Sequence, residues 1–545
     1  MFGLVAGVVA GLGACADSTS RGAGNDATNN GAGFNNAAEP GGDINNDTNG
    51  GFQPEVELEF EFAEPAVVGS SVFVANETSN TVAVIDSASL AIRTIPVGFG
   101  PTRVVGPEAA VETSGVFVLN EGASTVSVVD PDTLETKTAS VLRRANSLIA
   151  NPRGEFALAW FDEARLEPGE QAGDLSSVTL VSREGVSHQV AVGFKVERIT
   201  FTETGNTALV LTDDGVSIIR MTAVSGDEVA APVAVLPPDL QSFDRTDREV
   251  LITPDGLHTI ARAGNNPELV LTRLATGEQF RAVLPGTPTD LDWVFQEPLQ
   301  LLAMVPSENI AVIAQVPEGV EALAALAPVP PVLPDAGTDA GGDAGLDAGD
   351  AGPDAGADAG LDADMDAGAP VEPGTTWSPA EGVTYLALEQ GRLGAAEVDT
   401  DGGVGLLFST LEGRRGGVLL DLDTLEQRSL AFEKGVRGAV PDPRGEAFVV
   451  LHTREEGGVP PTATPADPEY IARSWGISIV DVASAVTRLV LTEQEPGDVA
   501  LWNDGMLARL YMIFQRPQPG TPELPSHRDV LRVDLDSFAI ESFGV

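Results

Sequence analysis

The sequence has little cysteine, few aromatic residues and few cations for its length of 545 residues. Its one cysteine, Cys15, excludes a disulfide within the chain, and aromatic residues at 5% leave the core to be built mainly from aliphatic side chains. Lys and Arg number 31 against 81 Asp and Glu, a formal net charge of −50. Such a surface repels phosphate, which argues against nucleic-acid binding, and it favours a soluble monomer that attracts cations or basic partners.

The sequence also contains no apolar run long enough to span a membrane as a helix. The N-terminal stretch "MFGLVAGVVAGLGAC" has 13 residues from Phe2 to Ala14, whereas about 20 are needed. That length is typical of a secretory signal. Leu, small, small, Cys at residues 12–15 resembles the lipobox of bacterial lipoproteins, although no Lys or Arg precedes Cys15. The alternative is a buried N-terminal strand or helix that contains an inert cysteine.

The lipobox resemblance implies that residues 1–14 are a signal peptide and that Cys15 carries diacylglycerol. Asp17 lies two residues beyond Cys15 rather than next to it, so the inner-membrane retention signal is absent and we expect a lipid anchor in the outer membrane. Residues 15–54 are rich in Gly, Asn and Asp and cannot bury enough apolar surface to fold. As a disordered tether, this segment would span about 35 Å.

A repeated phrase follows the tether. The segment "SVFVANETSNTVAVIDSASLAIRTIPVG" after Ser70 returns as "GVFVLNEGASTVSVVDPDTLETKTASV" after Ser114. Each phrase contains short runs rich in Val and Thr, separated by small polar clusters, which predicts consecutive antiparallel strands. Asp recurs where a predicted strand ends, because its side chain can hydrogen-bond the backbone of the following turn. These strand-end aspartates are Asp86, Asp130, Asp421, Asp481 and Asp534.

A period of 40 to 50 residues with about four strands each predicts an all-β fold, a single β-propeller of four-stranded antiparallel blades over residues 55–545. We count nine phrases and expect seven or eight blades. The segment Glu55 to Phe62 is a candidate first strand. The predicted starts of the other innermost strands are Arg103, Ser147, Arg198, Glu249, Asp290, Leu393, Gly438 and Asp498.

The first phrase resembles the repeat of the YVTN-type β-propellers. Phe73 to Asn76, Ser79 to Asp86 and Thr94 to Pro101 match the repeat pattern of that family position by position, and the second phrase matches through Asn120 and "STVSVVD". The family includes lipoproteins, secreted binding proteins and relatives of lactonases and haem d1 propellers. The resemblance therefore implies the fold and leaves the reaction open.

Three insertions interrupt the repeats. Residues 334–370 contain ten aspartates and no basic residue, and we expect a disordered acidic loop within a blade. Specific calcium binding is a weaker alternative, because neither EF-hand nor nonapeptide spacing is present. A Pro-rich loop over 454–470 and an acidic loop near 162–174 are also expected to project from blades.

No local motif for catalysis, metal binding or a cofactor is found, so we predict no catalytic residue and no cofactor, with a divalent cation as the open possibility. The four histidines have no metal-ligand spacing and are expected at surfaces or strand ends. The acidic pairs 213–214 and 244–249 are expected in solvated turns, and the doublets 143–144 and 414–415 either pair with carboxylates or line the axial channel. The tryptophans are expected in packing. The histidines are His188, His258, His452 and His527, and the tryptophans are Trp160, Trp293, Trp377, Trp475 and Trp502.

Two functions remain open on this basis. The first is a lipid-anchored binding or scaffold protein of the bacterial cell envelope, held to the membrane through Cys15 and binding a protein or glycan. The second is a metal-dependent hydrolase or lactonase with carboxylates from several blades at the channel mouth. A site of that kind leaves no local motif. Bound metal and a cluster of three or more carboxylate or Asn groups would favour the second function.

Overall fold

The structure is a computed structural model, and it describes residues 65–544 with internal gaps. The gaps are 88, 108–113, 167–170, 225–227, 241–247, 327–373, 375, 400–402, 443, 460–461, 465–466, 493–498, 504–507, 519–520 and 536–539. For 499–531 and 540–544 the backbone alone is described. Cys15, the predicted tether, the Glu55 to Phe62 segment and the acidic insertion at 334–370 lie outside the described residues.

The described strands form nine sheets, which we number in chain order. In each sheet the strands are given from the innermost outward. Sheet 1 contains β1 (Ala66–Val68), β2 (Ser71–Asn76), β3 (Thr81–Asp86) and β4 (Ile92–Pro96). Sheet 2 contains β5 (Pro101–Val105), β6 (Val116–Asn120), β7 (Thr125–Val129) and β8 (Thr136–Ser140). Sheet 3 contains β9 (Ser147–Ala150), β10 (Phe156–Trp160), β11 (Ser177–Ser182) and β12 (Ser187–Ala191), with β16 (Glu228–Val229) beyond them.

The next three sheets continue in the same order. Sheet 4 contains β13 (Val196–Phe201), β14 (Thr207–Thr212) and β15 (Gly215–Arg220). Sheet 5 contains β17 (Arg248–Ile252), β18 (His258–Ala263), β19 (Glu268–Arg273) and β20 (Glu278–Val283). Sheet 6 contains β21 (Asp290–Val294), β22 (Gln300–Val305), β23 (Ile310–Gln315) and β25 (Val383–Ala387), with β24 (Thr376–Trp377) outside.

The last three sheets each have four strands. Sheet 7 contains β26 (Ala395–Val398), β27 (Val404–Phe408), β28 (Gly416–Asp421) and β29 (Gln427–Ala431). Sheet 8 contains β30 (Val436–Pro441), β31 (Ala447–His452), β32 (Trp475–Asp481) and β33 (Val486–Thr492). Sheet 9 contains β34 (Val499–Asn503), β35 (Ala508–Gln518), β36 (Thr521–Asp534) and β37 (Ile540–Gly544). The helices are α1 (Glu318–Ala325), α2 (Pro468–Arg473) and 3₁₀ turns at Glu121–Ala123, Glu163–Arg165 and Met221–Ala223.

The middle strands explain why the sheets must pack on one another. In β2 and β3 every residue between the strand ends is buried, on both faces of the sheet, whereas the outermost strand β4 is mostly exposed. A strand covered on both faces is a near-continuous apolar run instead of an alternating one. "SVFVAN" and "TVAVID" have that pattern. Each sheet therefore needs a neighbour on either side to remove its apolar surface from water.

The sheets cover one another in chain order around a ring. Each described hydrophobic cluster joins two consecutive sheets; for example, Phe117 and Val126 of sheet 2 pack with Leu148 and Ala157 of sheet 3. Corresponding clusters join sheets 1 and 2 and each further pair up to sheets 7 and 8. The ring is closed where β1 contacts β34 and where Arg532 of sheet 9 donates to the Ser87 carbonyl at 3.0 Å.

The predicted all-β propeller is thus confirmed. The described part of the chain forms nine sheets, eight with four or five strands and one with three. This number equals the nine phrases counted in the sequence and is one more than the upper end of the expected seven or eight blades. The innermost strands β5, β9, β13, β17, β21, β26, β30 and β34 begin within two residues of the predicted starts. The innermost strand of sheet 1 is Ala66–Val68, which begins after the candidate segment Glu55 to Phe62.

The three-stranded sheet 4 is completed by an irregular excursion. After β15 the chain reaches the rim of sheet 3, where β16 pairs in parallel with β12, and it then returns so that Val233 bridges Val216 of β15. This single bridge occupies the place of a fourth strand. The excursion ties sheets 3 and 4 together at their outer edge.

The described residues beside the acidic insertion belong to one sheet. β23 and β25 are hydrogen-bonded neighbours, with Ile310 opposite Ala387, although 67 residues separate the two strands. The short helix α1 leaves β23 and packs against β20 and β23. Among the described residues, no helix has the length and apolar character needed to cross a membrane.

Strand-end aspartates close the turns between third and fourth strands, as the repeat predicts. The Asp130 Oδ1 accepts the Asp132 and Thr133 N–H groups at 3.0 and 2.8 Å, and Asp421 does the same for Asp423 and Thr424 at 3.1 and 2.7 Å. Four residues after each aspartate, the backbone is left-handed, with φ of +60° at both Leu134 and Leu425. Asp86 and Asp481 are followed by the same conformation at Leu90 and Ala485. The side chain thus stabilises a turn that an L-residue would otherwise disfavour.

We predict that Asp130→Ala lowers the free energy of unfolding by about 1 kcal/mol, a reduced value because the carboxylate is exposed. The Thr133 backbone N–H holds the pKa of Asp130 below its usual value. Its stabilisation is therefore present above the ordinary carboxyl pKa and is lost as pH falls through the lowered one. Urea denaturation at neutral and acidic pH measures this effect. Asp132→Ala is the matched control, and an equal loss in both variants would contradict the assigned role.

Candidate functional site

The topology gives the ring two different faces. Each sheet is connected to the next from its outermost strand to the next innermost strand, and these connectors lie on the same face as the turns between second and third strands. We call this the connector face and the opposite one the turn face. Because β1 is an innermost strand, it begins at the connector face. The third and fourth strands of sheet 6, between which the acidic insertion occurs in the sequence, have their connected ends at the turn face.

The innermost strands are edges of their sheets, and side chains from neighbouring sheets satisfy their backbone groups. Arg103 of β5 donates from Nε to the Asn146 carbonyl, just before β9, at 3.0 Å. Arg198 of β13 donates to the Val250 carbonyl of β17. An unpaired backbone group at a buried edge costs free energy, so these bonds stabilise the wall around the axis.

In sheets 5, 6 and 7, carboxylates make the corresponding hydrogen bonds to the backbone of neighbouring innermost strands. Glu249 accepts the Leu291 N–H at 3.1 Å and the Arg262 Nε at 2.7 Å. Asp290 and Asp292 of β21 accept N–H groups of β26, at Ala396 and Val398, each at 2.6 Å. We call Glu249, Asp290 and Asp292 the inner carboxylates. Their oxygens are directed at backbone donors and at one guanidinium.

Burial shapes the electrostatics of the inner carboxylates. It raises the pKa of Glu249, and burial together with the nearby charge of Asp290 raises the pKa of Asp292 well above its usual value. The prediction that 244–249 is a solvated turn is wrong at Glu249, which lies in β17 with its side chain 12% exposed and ion-paired. The acidic and polar sequence that precedes Glu249 gives no sign of that burial, and residues 244–247 of the predicted turn lie outside the described residues. In the described part of the chain, no group of three or more His, Cys, Asp or Glu is arranged to hold a metal ion.

The pair Asp213–Asp214 does lie in a turn, between β14 and β15. Asp213 accepts the Arg248 guanidinium at 3.0 Å, and Asp214 accepts the Phe194 N–H at 2.7 Å. Asp213 therefore joins sheets 4 and 5, and Asp214 holds the connector from sheet 3 to sheet 4.

The histidines lie in different sheets. His188 is in sheet 3 and His258 begins β18 of sheet 5, while the side chain of His527 lies outside the described residues. His452 ends β31 and is 2% exposed, and burial lowers its pKa to about 4. Its Nε2 is 2.6 Å from the Ser478 hydroxyl and its Nδ1 is 3.1 Å from the Gly435 carbonyl. Sequence spacing gives no signal for this pair.

The contact between His452 and Ser478 has counterparts in other sheets. Ser127, two residues into β7, accepts a bond from Asn120 at 3.0 Å and from the connector N–H of Gly98 at 3.3 Å. Ser217 accepts the Gly193 N–H of another connector at 3.1 Å. Because Ser478 is itself buried, we assign its pair with His452 the same structural role, which is to fix a connector to its sheet.

Above His452, the Pro-rich insertion of sheet 8 is attached to the connector face by Lys434. This lysine, 2% exposed, donates from Nζ to the carbonyls of Ile471 and Ala472 at 2.6 and 3.0 Å. Arg454 supports the same end of α2, with its Nε 2.9 Å from the Arg473 carbonyl. The insertion thus folds back on the ring over this stretch.

Arginine doublets on the connector face have different surroundings. Arg415 donates to the Glu433 carbonyl at 2.9 Å and lies 3.9 Å from Glu455, which agrees with the predicted carboxylate pairing. Arg143 and Arg144 are exposed and border an open cleft of about 320 Å³ between residues 142–144 and 171–174. Neither Arg143 nor Arg144 pairs with a carboxylate among the described residues, and neither lies on an innermost strand.

Large apolar residues divide between core and connector face. Trp160 and Trp293 are buried as expected, and Trp377 stacks edge-on against Tyr385 at the rim of sheet 6. Two connector phenylalanines at equivalent positions, Phe99 and Phe194, are exposed. The connector face therefore presents apolar and cationic side chains together.

Comparisons with known proteins give distant similarities. No family model matches the chain, and no curated protein matches it. Among solved structures, dihydro-haem d1 dehydrogenase NirN in complex with DHE is 10% identical with a TM-score of 0.36, covering 91% of this chain and 76% of that one. Apo AztD from Citrobacter koseri is 10% identical with a TM-score of 0.34, covering 69% and 88%. A eukaryotic initiation factor is 9% identical with a TM-score of 0.47, covering 88% and 96%.

We predict that the free energy of unfolding rises with pH between about 8 and 10.5 because of Lys434. Burial, with the charge of Arg415, lowers the pKa of Lys434 from 10.5 to about 8. The unfolded chain therefore binds the extra proton in this window, so stability increases with pH by at most about 3 kcal/mol. Chemical denaturation across the window should show this slope and its loss in Lys434→Met. Lys137→Met, at an exposed lysine, is the control and should keep the slope.

Proposed function

We propose that this chain is a lipid-anchored β-propeller of the YVTN type that acts as a binding or scaffold protein in the bacterial cell envelope. The fold supports a rigid ring with loops presented at its faces. The sequence Leu12 to Cys15 and the repeat phrases from Ser70 and Ser114 support the lipoprotein and YVTN assignments. The lipid on Cys15 would hold the chain to the outer membrane.

The observation that carries the binding role is the contrast between the axis and the connector face. The inner carboxylates accept bonds from backbone N–H groups of adjacent sheets, so their geometry serves the ring. On the connector face, an open cleft beside Arg143 and Arg144 lies among connectors that also expose Phe99 and Phe194. A surface of mixed apolar and cationic groups suits a protein or glycan partner.

The anchor is located favourably for such a role. β1 begins at the connector face, so the chain that leads from Cys15 joins the ring on the same side as the cleft. A tether of this composition has a span of about 35 Å, which would let the ring reach partners near the membrane while it remains anchored.

We predict that the protein produced in a Gram-negative bacterium fractionates with the outer membrane and that Cys15→Ser moves it to the soluble fraction. The physical reason is that acyl chains contribute about 0.8 kcal/mol per buried methylene, and two or three chains anchor a protein stably. Mass spectrometry of the N-terminal peptide should show diacylglycerol on Cys15. Ser18→Ala is the matched control. Equal fractionation of the Cys15→Ser variant and the wild type would contradict the anchor.

The hydrolase alternative is tested on protein released from the membrane. Elemental analysis should find no stoichiometric divalent metal, and lactone substrates should not be turned over. A bound metal that depends on Glu249 or Asp292, or turnover that those residues control, would replace the binding role by the enzymatic one.

A further inference from the structure

The cleft on the connector face of sheet 3 is an open depression lined mainly by polar residues, and its volume is comparable to that of a small-ligand site. It lies between the connector from sheet 2 to sheet 3, at 142–144, and the loop at 171–174, and it measures about 320 Å³. Pockets for small ligands begin at about 300 Å³. The cleft is open to solvent, so a ligand can enter without a change in the ring.

Several contacts hold the connector that forms one wall of the cleft and the start of the loop that leads to the other wall. Asn146 exchanges two hydrogen bonds with the backbone of Asp162, at 2.9 and 2.7 Å. Lys195 holds the start of the loop through Glu163 at 2.5 Å. Beneath the connector, the Leu142 N–H donates to the Thr179 hydroxyl at 3.0 Å. The bond from Leu142 to Thr179 therefore fixes the connector side of the cleft directly.

The far wall is equally constrained. Gly173 lies against the buried ring of Phe161, where a Cβ on the glycine would come within 2.7 Å of the ring. The loop therefore approaches the sheet more closely than any other residue at this position would allow. Asp174, which also borders the cleft and is exposed, accepts the Ser176 N–H at 2.9 Å with one oxygen and contributes a negative charge to this side.

Two guanidinium groups supply the donors of the cleft. Arg144 donates to both the backbone and the side-chain oxygen of Gln171, the latter at 3.2 Å, which orients its planar fork. Arg143 is exposed and makes no side-chain hydrogen bond or ion pair with the described residues. In a chain with 81 acidic and 31 basic residues, a guanidinium beside a cleft that pairs with no carboxylate among the described residues is informative. Glu167 and Glu170, which precede the 171–174 side of the cleft, lie outside the described residues. Arginine forks match carboxylate and phosphate oxygens in a bidentate geometry.

The electrostatics favour a small anion over a polyanion. At physiological ionic strength, charges are screened over about 8 Å, so a small group within the cleft experiences mainly the two positive charges of Arg143 and Arg144 and the one negative charge of Asp174, and it experiences the acids elsewhere on the surface less. An extended polyanion would meet the acidic loop of sheet 3, which includes Asp162 and Glu163, and the strongly negative remainder of the surface.

We propose that this cleft binds a small ligand through one anionic group, a carboxylate or a phosphate. Arg143 supplies the direct ionic contact, and Arg144, held by Gln171, presents its remaining N–H groups to the same oxygens. The proposal deepens the binding role given above and rests on it. It is independent of the lipid anchor.

The test uses the purified chain and three probes: glucuronate for a carboxylate, inorganic phosphate, and glucose as the neutral control. Calorimetry or ligand-observed NMR should show saturable binding of glucuronate, phosphate or both, and none of glucose. Arg143→Gln should weaken that binding at least about tenfold, the equivalent of 1.4 kcal/mol. Arg93→Gln removes the same charge from an exposed position on β4 and should leave the affinity unchanged. Gln171→Ala, which releases Arg144, should weaken binding to a smaller extent.

The outcomes separate this proposal from the proposed function. Binding of only one of the two anions supports the cleft and identifies its group. No saturable binding of either anion, or equal affinity in Arg143→Gln and the wild type, overturns the cleft, and the anchor assay on Cys15 stands unaffected. Because both arginines are exposed, an unchanged melting temperature in the variants is expected and shows that a lost affinity is local.

Discussion

Each sheet of this protein is apolar on both faces, and the structure depends on covering those faces. The middle strands, such as β2 and β3, are buried along their whole length between two neighbours. A sheet at the end of an open row would leave one such face in water, at about 25 cal/mol for each Å² of apolar surface. The ring removes that exposed face because its last sheet meets its first at β1 and β34 and at the bond from Arg532 to Ser87.

Closing the ring creates a second requirement at the axis. The innermost strands turn their free edges toward one another, and the edges need partners. In this chain the partners are long polar side chains from adjacent sheets: Arg103 and Arg198 reach carbonyls, and the inner carboxylates Glu249, Asp290 and Asp292 reach N–H groups. Charged residues that would suggest catalysis in another setting here complete the hydrogen bonding of the wall.

The proposed binding role depends on loops that the ring holds on its connector face. The connector face combines three features: the start of β1, the folded insertion attached by Lys434, and the cleft beside Arg143 and Arg144. The buried hydroxyls of Ser127, Ser217 and Ser478 fix connectors to their sheets, so the surface formed by the connectors is rigid. A rigid scaffold with variable loops is the usual arrangement for binding proteins.

Much of this architecture could be read from the residues alone. The alternation of Val-rich runs with polar clusters, and the recurring aspartates at strand ends, depend on backbone conformation and local hydrogen bonds, which short stretches of sequence encode. For that reason the innermost strands begin where the repeat predicts, and Asp130 and Asp421 close the turns expected of them.

The environment of a side chain is not local in this sense, because it depends on residues that are distant in the sequence. Glu249 follows a stretch that has the composition of a solvated turn, yet it faces Arg262 and the backbone of Leu291. His452 and Ser478 meet across two strands, and Arg143 and Arg144 border a cleft whose other wall lies about 30 residues further along the chain. The sequence by itself determined the strands, their turns and the need to stack them, since these follow from propensity and apolar periodicity. The tertiary structure alone decided which polar groups form hydrogen bonds within the ring and which stay exposed at its face. The physical reason is that the order of the sheets around the axis determines which residues bury and hydrogen-bond one another.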